Sequence, residues 1–234
     1  MLGVPNIIMV TSETGEPVPF TKDAYQYCES FRPLKRVMWS SCGSSGWRNG
    51  NEEDFICELS RKYDNICGTY LDDFFARFGV KPQEHTDELL GCIRGIRETL
   101  SHAARPMPVW VTAYIHGMDE VAQSVLDEID GLVVWTWCSE ELPLLPERLQ
   151  QLEQRCPRHK KLLGIYLFDF TKRESVDMEL MKFQCDFGLK MLKAGRVDGL
   201  VFEANSVMGV GLPTETYLRE WIARTRDLEL NEEH

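Results

Sequence analysis

Residues 65–75 read NICGTYLDDFF, and the pattern in this stretch decides the predicted fold. A short run of apolar, β-branched and aromatic residues ends in two adjacent acids, Asp72 and Asp73. Such a run is typical of a strand that is buried on both faces, as strands of a parallel sheet are. We therefore predict a strand over residues 65–73 that carries polar side chains at its carboxyl end.

The same alternation of short apolar runs and longer amphipathic segments continues in both directions from this strand. Strand–helix–strand repeats of this kind give a parallel sheet with right-handed crossovers. The other predicted strands are 6–11, 36–41, 109–116, 131–137, 161–170 and 199–205, and the predicted helices are 22–31, 52–63, 83–103, 118–128, 140–155, 177–193 and 214–226.

Seven strand–helix units can form either a TIM-type (β/α) barrel or an open doubly wound sheet. Polar and aromatic residues follow nearly every predicted strand, whereas an open sheet would concentrate them at one switch point. We therefore predict an α/β fold of the TIM-type barrel class, as a single domain over residues 1–234. Seven strands are one fewer than usual, so the first unit is expected to be missing or irregular.

Composition narrows the classes of partner. The chain has 26 Lys and Arg against 37 Asp and Glu, a net charge of −11, and no basic cluster, which argues against nucleic acid and phosphorylated substrates. It has no nucleotide-binding glycine loop, so we predict no cofactor. The absence of a long apolar run or a signal-peptide pattern leads us to expect no membrane partner and a cytoplasmic location.

The eight cysteines and five histidines give no pattern of a disulfide framework or a metal site. The cysteines are scattered without any CxxC pair, and no HxH or HExxH spacing occurs. We predict reduced, structural cysteines and no metal ligands.

Four acids at predicted strand ends are the candidate catalytic residues: Asp72, Asp73, Asp169 and Glu203. Glycoside hydrolysis needs one protonated acid and one base or nucleophile, which is the chemistry that paired carboxylates supply. Because side chains alternate along a strand, only one of the adjacent acids is expected to face the barrel axis. Loop capping remains an alternative for Asp72 and Asp73, and a structural salt bridge remains one for Asp169 and Glu203.

Aromatic side chains cluster at the same strand ends. Indole and phenol rings can stack on the apolar faces of sugars, so we predict substrate contacts for Trp39, Tyr114, His116, Trp135, Trp137 and Tyr166. The alternative is a core filled with rings, which we favour for Trp110. Trp47, in the glycine-rich loop 40–50, is a candidate for a movable lid.

Four stretches together resemble a known set of proteins: RVMWS (36–40), NICGTYLDDFF (65–75), VVWTW (133–137) and LLGIYLFDF (162–170). They are similar to a largely uncharacterised set of bacterial glycoside-hydrolase-like TIM-barrel proteins, and the Gly-x-x-x-Asp-Asp-Phe motif at 68–74 is the most specific part. The resemblance implies a barrel and a carbohydrate ligand, and it transfers no catalytic pair. Glu203 departs from the set, in which smaller residues are usual there.

The sequence thus predicts a glycoside hydrolase-like protein that acts on a neutral or cationic saccharide, either a small molecule or an oligosaccharide. Asp72 or Asp73 supplies one carboxylate, Asp169 is the expected partner, and Glu203 is the reserve. One alternative is a carbohydrate-binding barrel without catalysis. Another is a metal-dependent hydrolase or isomerase that uses Asp72, Asp73, Asp169 and His116.

Overall fold

The computed structural model describes residues 2–10, 22–48, 50–78, 81–203 and 207–229. The strands in these residues are β1 Asn6–Met9, β2 Arg36–Ser40, β3 Ile66–Leu71, β4 Val109–Tyr114, β5 Gly131–Trp135, β6 Lys160–Ile165, β7 Phe168–Asp169, β8 Glu174–Ser175 and β9 Gly199–Phe202. The α-helices are α1 Lys22–Phe31, α2 Glu52–Lys62, α3 Thr86–Leu100, α4 Gln123–Leu126, α5 Leu145–Arg155, α6 Met178–Lys193 and α7 Pro213–Thr225.

Seven of these strands form one parallel sheet in the order β1-β2-β3-β4-β5-β6-β9. The order follows the chain without a reversal, whereas a doubly wound sheet reverses at its switch point. Helices alternate with the strands along the chain. The predicted α/β fold of the TIM-type barrel class is confirmed, with seven strands of the parallel sheet in the described residues.

The predicted strand 161–170 is too long, because the sheet strand β6 ends at Ile165. The side chain of Gln184 accepts from the backbone N–H of Tyr166 at 2.9 Å and donates to its carbonyl at 2.7 Å. These two bonds occupy the backbone groups that a longer strand would need. Beyond them, β7 pairs antiparallel with β8 in a separate two-stranded ribbon.

Three predicted helices begin with a 3-10 turn. These turns are Pro82–His85, Met118–Glu120 and Ser139–Leu144, and the helix in the second case, α4, has only four residues. The predicted strand ends at residue 11 and at residues 204–205 lie outside the described residues.

The chain divides into two compact units. The first unit comprises Val4–Thr112 and Gly117–Leu132, and the second comprises Met1–Gly3, Ala113–His116 and Val133–His234. Both units contain strands and helices, and each is described by itself below. One domain over residues 1–234 stays a prediction.

Each unit uses a tryptophan to cover a glycine on the next strand. In the first unit a Cβ atom at Gly131 would lie 2.3 Å from the ring of Trp110, and in the second a Cβ at Gly164 would lie 2.0 Å from the ring of Trp135. Both indoles are buried and lie where only a glycine leaves room. Trp110 is therefore a core residue, as predicted.

All eight cysteines are free thiols, in agreement with the prediction, and five of them are buried. In the part of the chain that the structure describes, every helix is too short or too polar to cross a bilayer.

Candidate functional site

The first unit holds Asp72 in a network of hydroxyl groups. Asp72 directly follows β3, and the buried Thr112 of β4 donates from Oγ1 to its Oδ1 at 3.0 Å. The hydroxyl of Tyr70 lies 2.6 Å from the same Thr112 Oγ1, and the backbone N–H of Asp73 donates to it at 3.2 Å. The carboxyl group of Asp72 is thus fixed by the strand next to its own.

The surroundings of Asp72 favour its protonated form. Burial raises the pKa of Asp72 to about 7, and the negative charge of Asp73 acts in the same direction, against the hydrogen bonds from Thr112 and Tyr70. An acid with a pKa near the working pH is present in both forms and can donate or accept a proton. Asp72 therefore has the acid–base properties that a catalytic carboxyl group requires.

Asp73 is held differently, through the loop that follows β2. Its Oδ2 accepts a hydrogen bond from the backbone N–H of Ser45 at 3.1 Å. Asp73 (φ 47°) and Ser45 (φ 60°) both adopt the left-handed conformation, which is unfavourable for residues other than glycine. The bond between these two strained residues connects the loop to the end of β3.

The base of the same loop is fixed by a buried ionic cluster that the sequence analysis did not identify. Arg48 makes two 2.8 Å bonds to Glu53, and Glu52 lies 3.7 Å from Arg48 and accepts the backbone N–H of Gly50. These charges are buried and paired, which is typical of a structural role. The sequence signal for this ionic cluster is an arginine shortly before the acidic first turn of α2. Trp47 is partly exposed on the loop, and its role as a lid stays a prediction.

The second unit holds Asp169 in a saturated set of hydrogen bonds. Ser139 donates to Oδ2 from both its backbone N–H and its hydroxyl, while Oδ1 accepts from Thr171 N, Thr171 Oγ1 and Lys172 N at 2.6–3.0 Å. Burial raises the pKa of Asp169, but the hydrogen bonds from Ser139 and Thr171 outweigh it and hold the pKa well below its ordinary value. Asp169 thereby connects the β7–β8 ribbon to residue 139.

Glu203 follows β9 in the second unit and differs again. Burial raises its pKa to about 8. Both of its carboxyl oxygens are buried without a hydrogen-bond partner among the described residues. Glu203 is therefore a neutral acid at pH 7, since its ionised form would lack the partners that stabilise a buried charge.

Three rings lie together in the second unit: Tyr114, His116 and Trp137. The ring centroid of Trp137 is 5.1 Å from that of Tyr114 and 5.9 Å from that of His116, and both contacts are edge-to-face. Glu141 accepts the backbone N–H of Trp137 at 3.1 Å, and its Oε2 lies 3.6 Å from Nδ1 of His116. All three are among the six predicted substrate contacts, and that role stays a prediction.

A second group of rings extends outward from Trp135 in the same unit. Tyr166 lies 4.7 Å from Trp135 and 6.3 Å from Phe170, and Phe168 lies 5.3 Å from Phe170. A cleft of about 10 Å³ has room for one water molecule. The rings that line it belong to Trp137, Tyr166, Phe168 and Phe170, and we call these four side chains the ring surface. Trp137 (52% exposed) and Phe170 (49% exposed) are accessible there.

Two of the rings predicted as substrate contacts are buried. Trp39 is 0% exposed in the first unit, and Trp135 is 8% exposed against Gly164 in the second. Both side chains belong to the core, so we no longer expect either of them to contact a substrate. The sequence analysis missed Phe168 and Phe170. With Tyr166 they occupy every second position after β6, which is the same alternation that selected the other rings.

Acidic, histidine and cysteine side chains do not gather into a metal centre in the ranges that the structure describes. No group of three such residues lies close enough to hold an ion there. Asp169, one of the candidate ligands of the metal-dependent alternative, has both oxygens occupied by hydrogen bonds.

Comparison of the sequence with protein-family models and with curated proteins found no match. The similar solved structures include three that are each 11% identical to this chain. A Bacteroides thetaiotaomicron protein provisionally named an α-L-fucosidase has a TM-score of 0.54 over 94% of this chain and 82% of its own. A glucosidase from Croceicoccus marinus has a TM-score of 0.56 over 81% of this chain and 47% of its own, so this chain spans about half of it.

The third similar structure is a hydrolase of another kind. A probable 2-pyrone-4,6-dicarboxylic acid hydrolase from Acinetobacter baumannii has a TM-score of 0.51 over 97% of this chain and 94% of its own. At this identity the likeness concerns the fold alone. It agrees with the barrel fold that the sequence resemblance implied, and a shared fold does not by itself determine an activity.

Proposed function

We propose that this protein is a glycoside hydrolase-like enzyme that cleaves a neutral or cationic saccharide, with Asp72 as the proton-transferring group. The observation that carries the proposal is the environment of Asp72. Its carboxyl group is desolvated beside the charge of Asp73, with a pKa of about 7, and Thr112 fixes its orientation. A general acid in glycoside hydrolysis has these two properties, a raised pKa and a fixed position.

The proposed reaction begins with proton transfer from Asp72 to the glycosidic oxygen as the bond from that oxygen to the anomeric carbon breaks. The leaving sugar departs as an alcohol, and positive charge develops on the remaining ring. A water molecule then adds to the anomeric carbon and returns a proton to the ionised Asp72. The charge of Asp73 both raises the pKa of Asp72 and is suited to stabilise the developing cation.

The other two acids receive lesser roles in this proposal. Asp169 is given a structural role, because five donors occupy its two oxygens. Glu203 remains the reserve acid, because it is protonated at neutral pH and lacks a fixed orientation from hydrogen bonds in the described residues.

Saccharide contact is assigned to the ring surface, with Tyr114 and His116 as neighbouring contacts of Trp137. The exposed rings of Trp137 and Phe170 offer apolar faces for stacking on a sugar. The net charge of −11 disfavours an anionic sugar and is compatible with a neutral or amino sugar.

The test is the release of reducing sugar from a broad panel of oligosaccharides and aryl glycosides. We expect turnover by the wild type and a loss of about 10²- to 10⁴-fold in Asp72→Asn, the usual range for a general acid. Asp87→Asn, the same change at an exposed site in the first unit, serves as the matched control and keeps full activity. Equal turnover in Asp72→Asn and the wild type would remove Asp72 from the mechanism, and a loss in Glu203→Gln alone would move the acid role to Glu203.

A second candidate function is saccharide binding without hydrolysis. It is favoured by the exposure of Trp137 and Phe170, since ring stacking needs no acid. If no substrate in the panel is cleaved while an oligosaccharide quenches the fluorescence of wild-type protein but not of Trp137→Ala, this function replaces the enzymatic one.

A further inference from the structure

We infer that Thr112 is the positioning residue of Asp72, and that Tyr70, Thr112 and Asp72 form one hydrogen-bonded network that commits Oδ1 of Asp72 to Thr112. The catalytic part of this inference rests on the proposed function. The part that concerns the ionisation of Asp72 is independent of it.

The register of the sheet explains why these residues meet. Tyr70 pairs with Trp110 and Leu71 pairs with Val111, so the next position places Asp72 beside Thr112. Tyr70 and Asp72 are two residues apart and lie on the same side of their strand. A hydroxyl at Thr112 is therefore placed against both of them.

The number of protons and lone pairs determines the direction of the chain. A threonine hydroxyl has one proton to donate and two lone pairs. The N–H of Asp73 uses one lone pair of Thr112 at 3.2 Å. Ionised Asp72 can only accept, so the Thr112 proton is donated to Oδ1 at 3.0 Å, and the remaining lone pair accepts from Tyr70 at 2.6 Å. Every donor and acceptor site of Thr112 is then used.

This arrangement commits Oδ1 of Asp72 to Thr112, which holds the rotation of the carboxyl group. Thr112 and Tyr70 are each 3% exposed, which disfavours replacement of the lost donor by a water molecule. The groups that act on Asp72 are Tyr70 from β3, Thr112 from β4 and the charge of Asp73.

The test measures the titration of the Asp72 carboxyl by ¹³C NMR together with the pH dependence of kcat/KM. In Thr112→Val the ionised form of Asp72 loses its hydrogen-bond donor, so we expect the pKa of Asp72 to rise by about 1 unit. We also expect kcat to fall about 10-fold or more with little change in KM. Thr112→Ser keeps the hydroxyl and restores both values.

Thr69→Val is the matched control. Thr69 is as buried as Thr112, and its hydroxyl lies 3.1 Å from the carbonyl oxygen of Trp39 and 3.0 Å from the hydroxyl of Ser41, away from Asp72. Its loss is expected to lower stability without moving the pKa of Asp72. Tyr70→Phe gives a second test if Thr112→Val folds poorly. It is expected to raise the pKa of Asp72 by less than Thr112→Val does.

An unchanged Asp72 titration in folded Thr112→Val, or a failure of Thr112→Ser to restore it, overturns the inference. The NMR titration needs no substrate, so it stands even if no glycoside is cleaved. A shifted titration without any turnover in the wild type would instead contradict the proposed function while upholding the role of Thr112 in the ionisation of Asp72.

Discussion

Asp72 and Asp169 are the same residue type in similar sequence contexts, and the structure gives them opposite properties. Each comes at the end of a predicted strand with a phenylalanine nearby. Asp72 has a threonine hydroxyl on Oδ1 and a negative neighbour, and its pKa is raised to about 7. Asp169 receives five hydrogen bonds, and its pKa is lowered.

The difference lies in the backbone that follows each acid. After Asp169 the chain turns so that the N–H groups of Thr171 and Lys172 point to its own side chain. After Asp72 the N–H of Asp73 donates to Thr112, and its effect on the pKa of Asp72 is smaller than that of burial. A carboxylate surrounded by N–H donors stabilises a turn, whereas a desolvated one with few donors keeps a proton that chemistry can use.

The largest expected difference between the two acids concerns turnover. Asp72→Asn should lower kcat/KM by about 10²- to 10⁴-fold, while Asp169→Asn should stay within about 3-fold of the wild type, because a structural anchor does not transfer the proton. Sugar release is measured at a temperature at which circular dichroism shows each variant to be folded. A folded Asp169→Asn variant that is less active than Asp72→Asn would show that Asp169, not Asp72, takes part in the reaction.

The next effect concerns stability at neutral pH. Asp169→Asn should lower the free energy of unfolding by about 3 kcal/mol at pH 7. The NH₂ group of the asparagine cannot accept a hydrogen bond, so it would face N–H and O–H donors that bond to the carboxylate in the wild type. The pKa of Asp169 is lower in the folded protein, so its contribution is present above the ordinary pKa of about 4 and is lost as the pH falls. Urea denaturation should therefore show the gap between variant and wild type closing towards pH 3. A gap that is constant with pH would contradict the account.

Asp72 should show the opposite dependence. Its pKa is raised in the folded protein, so the stabilisation that comes from the retained proton is complete below the ordinary pKa of about 4 and is lost as the pH rises through about 7. Relative to Asp72→Asn, which has no proton to lose, the wild type should lose about 2 kcal/mol of stability between pH 5 and pH 8. Parallel urea curves over this range would show that Asp72 is not desolvated.

The smallest effect sharpens the description of Asp169. Ser139→Ala removes one hydroxyl donor and keeps the backbone N–H, so it should lower the free energy of unfolding by about 1 kcal/mol at pH 7. Ser175→Ala in the β7–β8 ribbon, whose hydroxyl does not bond Asp169 in the structure, is the control and should change less. Equal losses in the two variants would mean that the donor from Ser139 adds nothing specific.

The fold was largely predictable because periodicity and strand–helix alternation are local properties of a sequence. The exception is the sixth predicted strand. Its apolar pattern continues to residue 170, but the side chain of Gln184, a residue 18 positions after Tyr166, takes the backbone groups and ends it. A contact between distant residues of this kind leaves no trace in the local pattern.

The candidate site was predictable in its residue types but not in its physical state. Asp72 and Asp169 were both selected as acids at strand ends, and nothing in the sequence separates the tuned acid from the structural anchor. Thr112 was not among the predicted site residues, because its contact with Asp72 depends on the register between β3 and β4. The burial of Trp39 likewise depends on packing around it, which sequence alternation does not specify.

The most direct test of the central claim is a single ¹³C NMR titration of wild-type protein that follows the carboxyl carbons of both Asp72 and Asp169. We expect that Asp72 titrates with a midpoint near pH 7 and that Asp169 remains ionised below the ordinary aspartate pKa of about 4. If both carboxyl groups titrate together near pH 4, the two environments do not differ as described, and Asp72 loses its claim to the acid role.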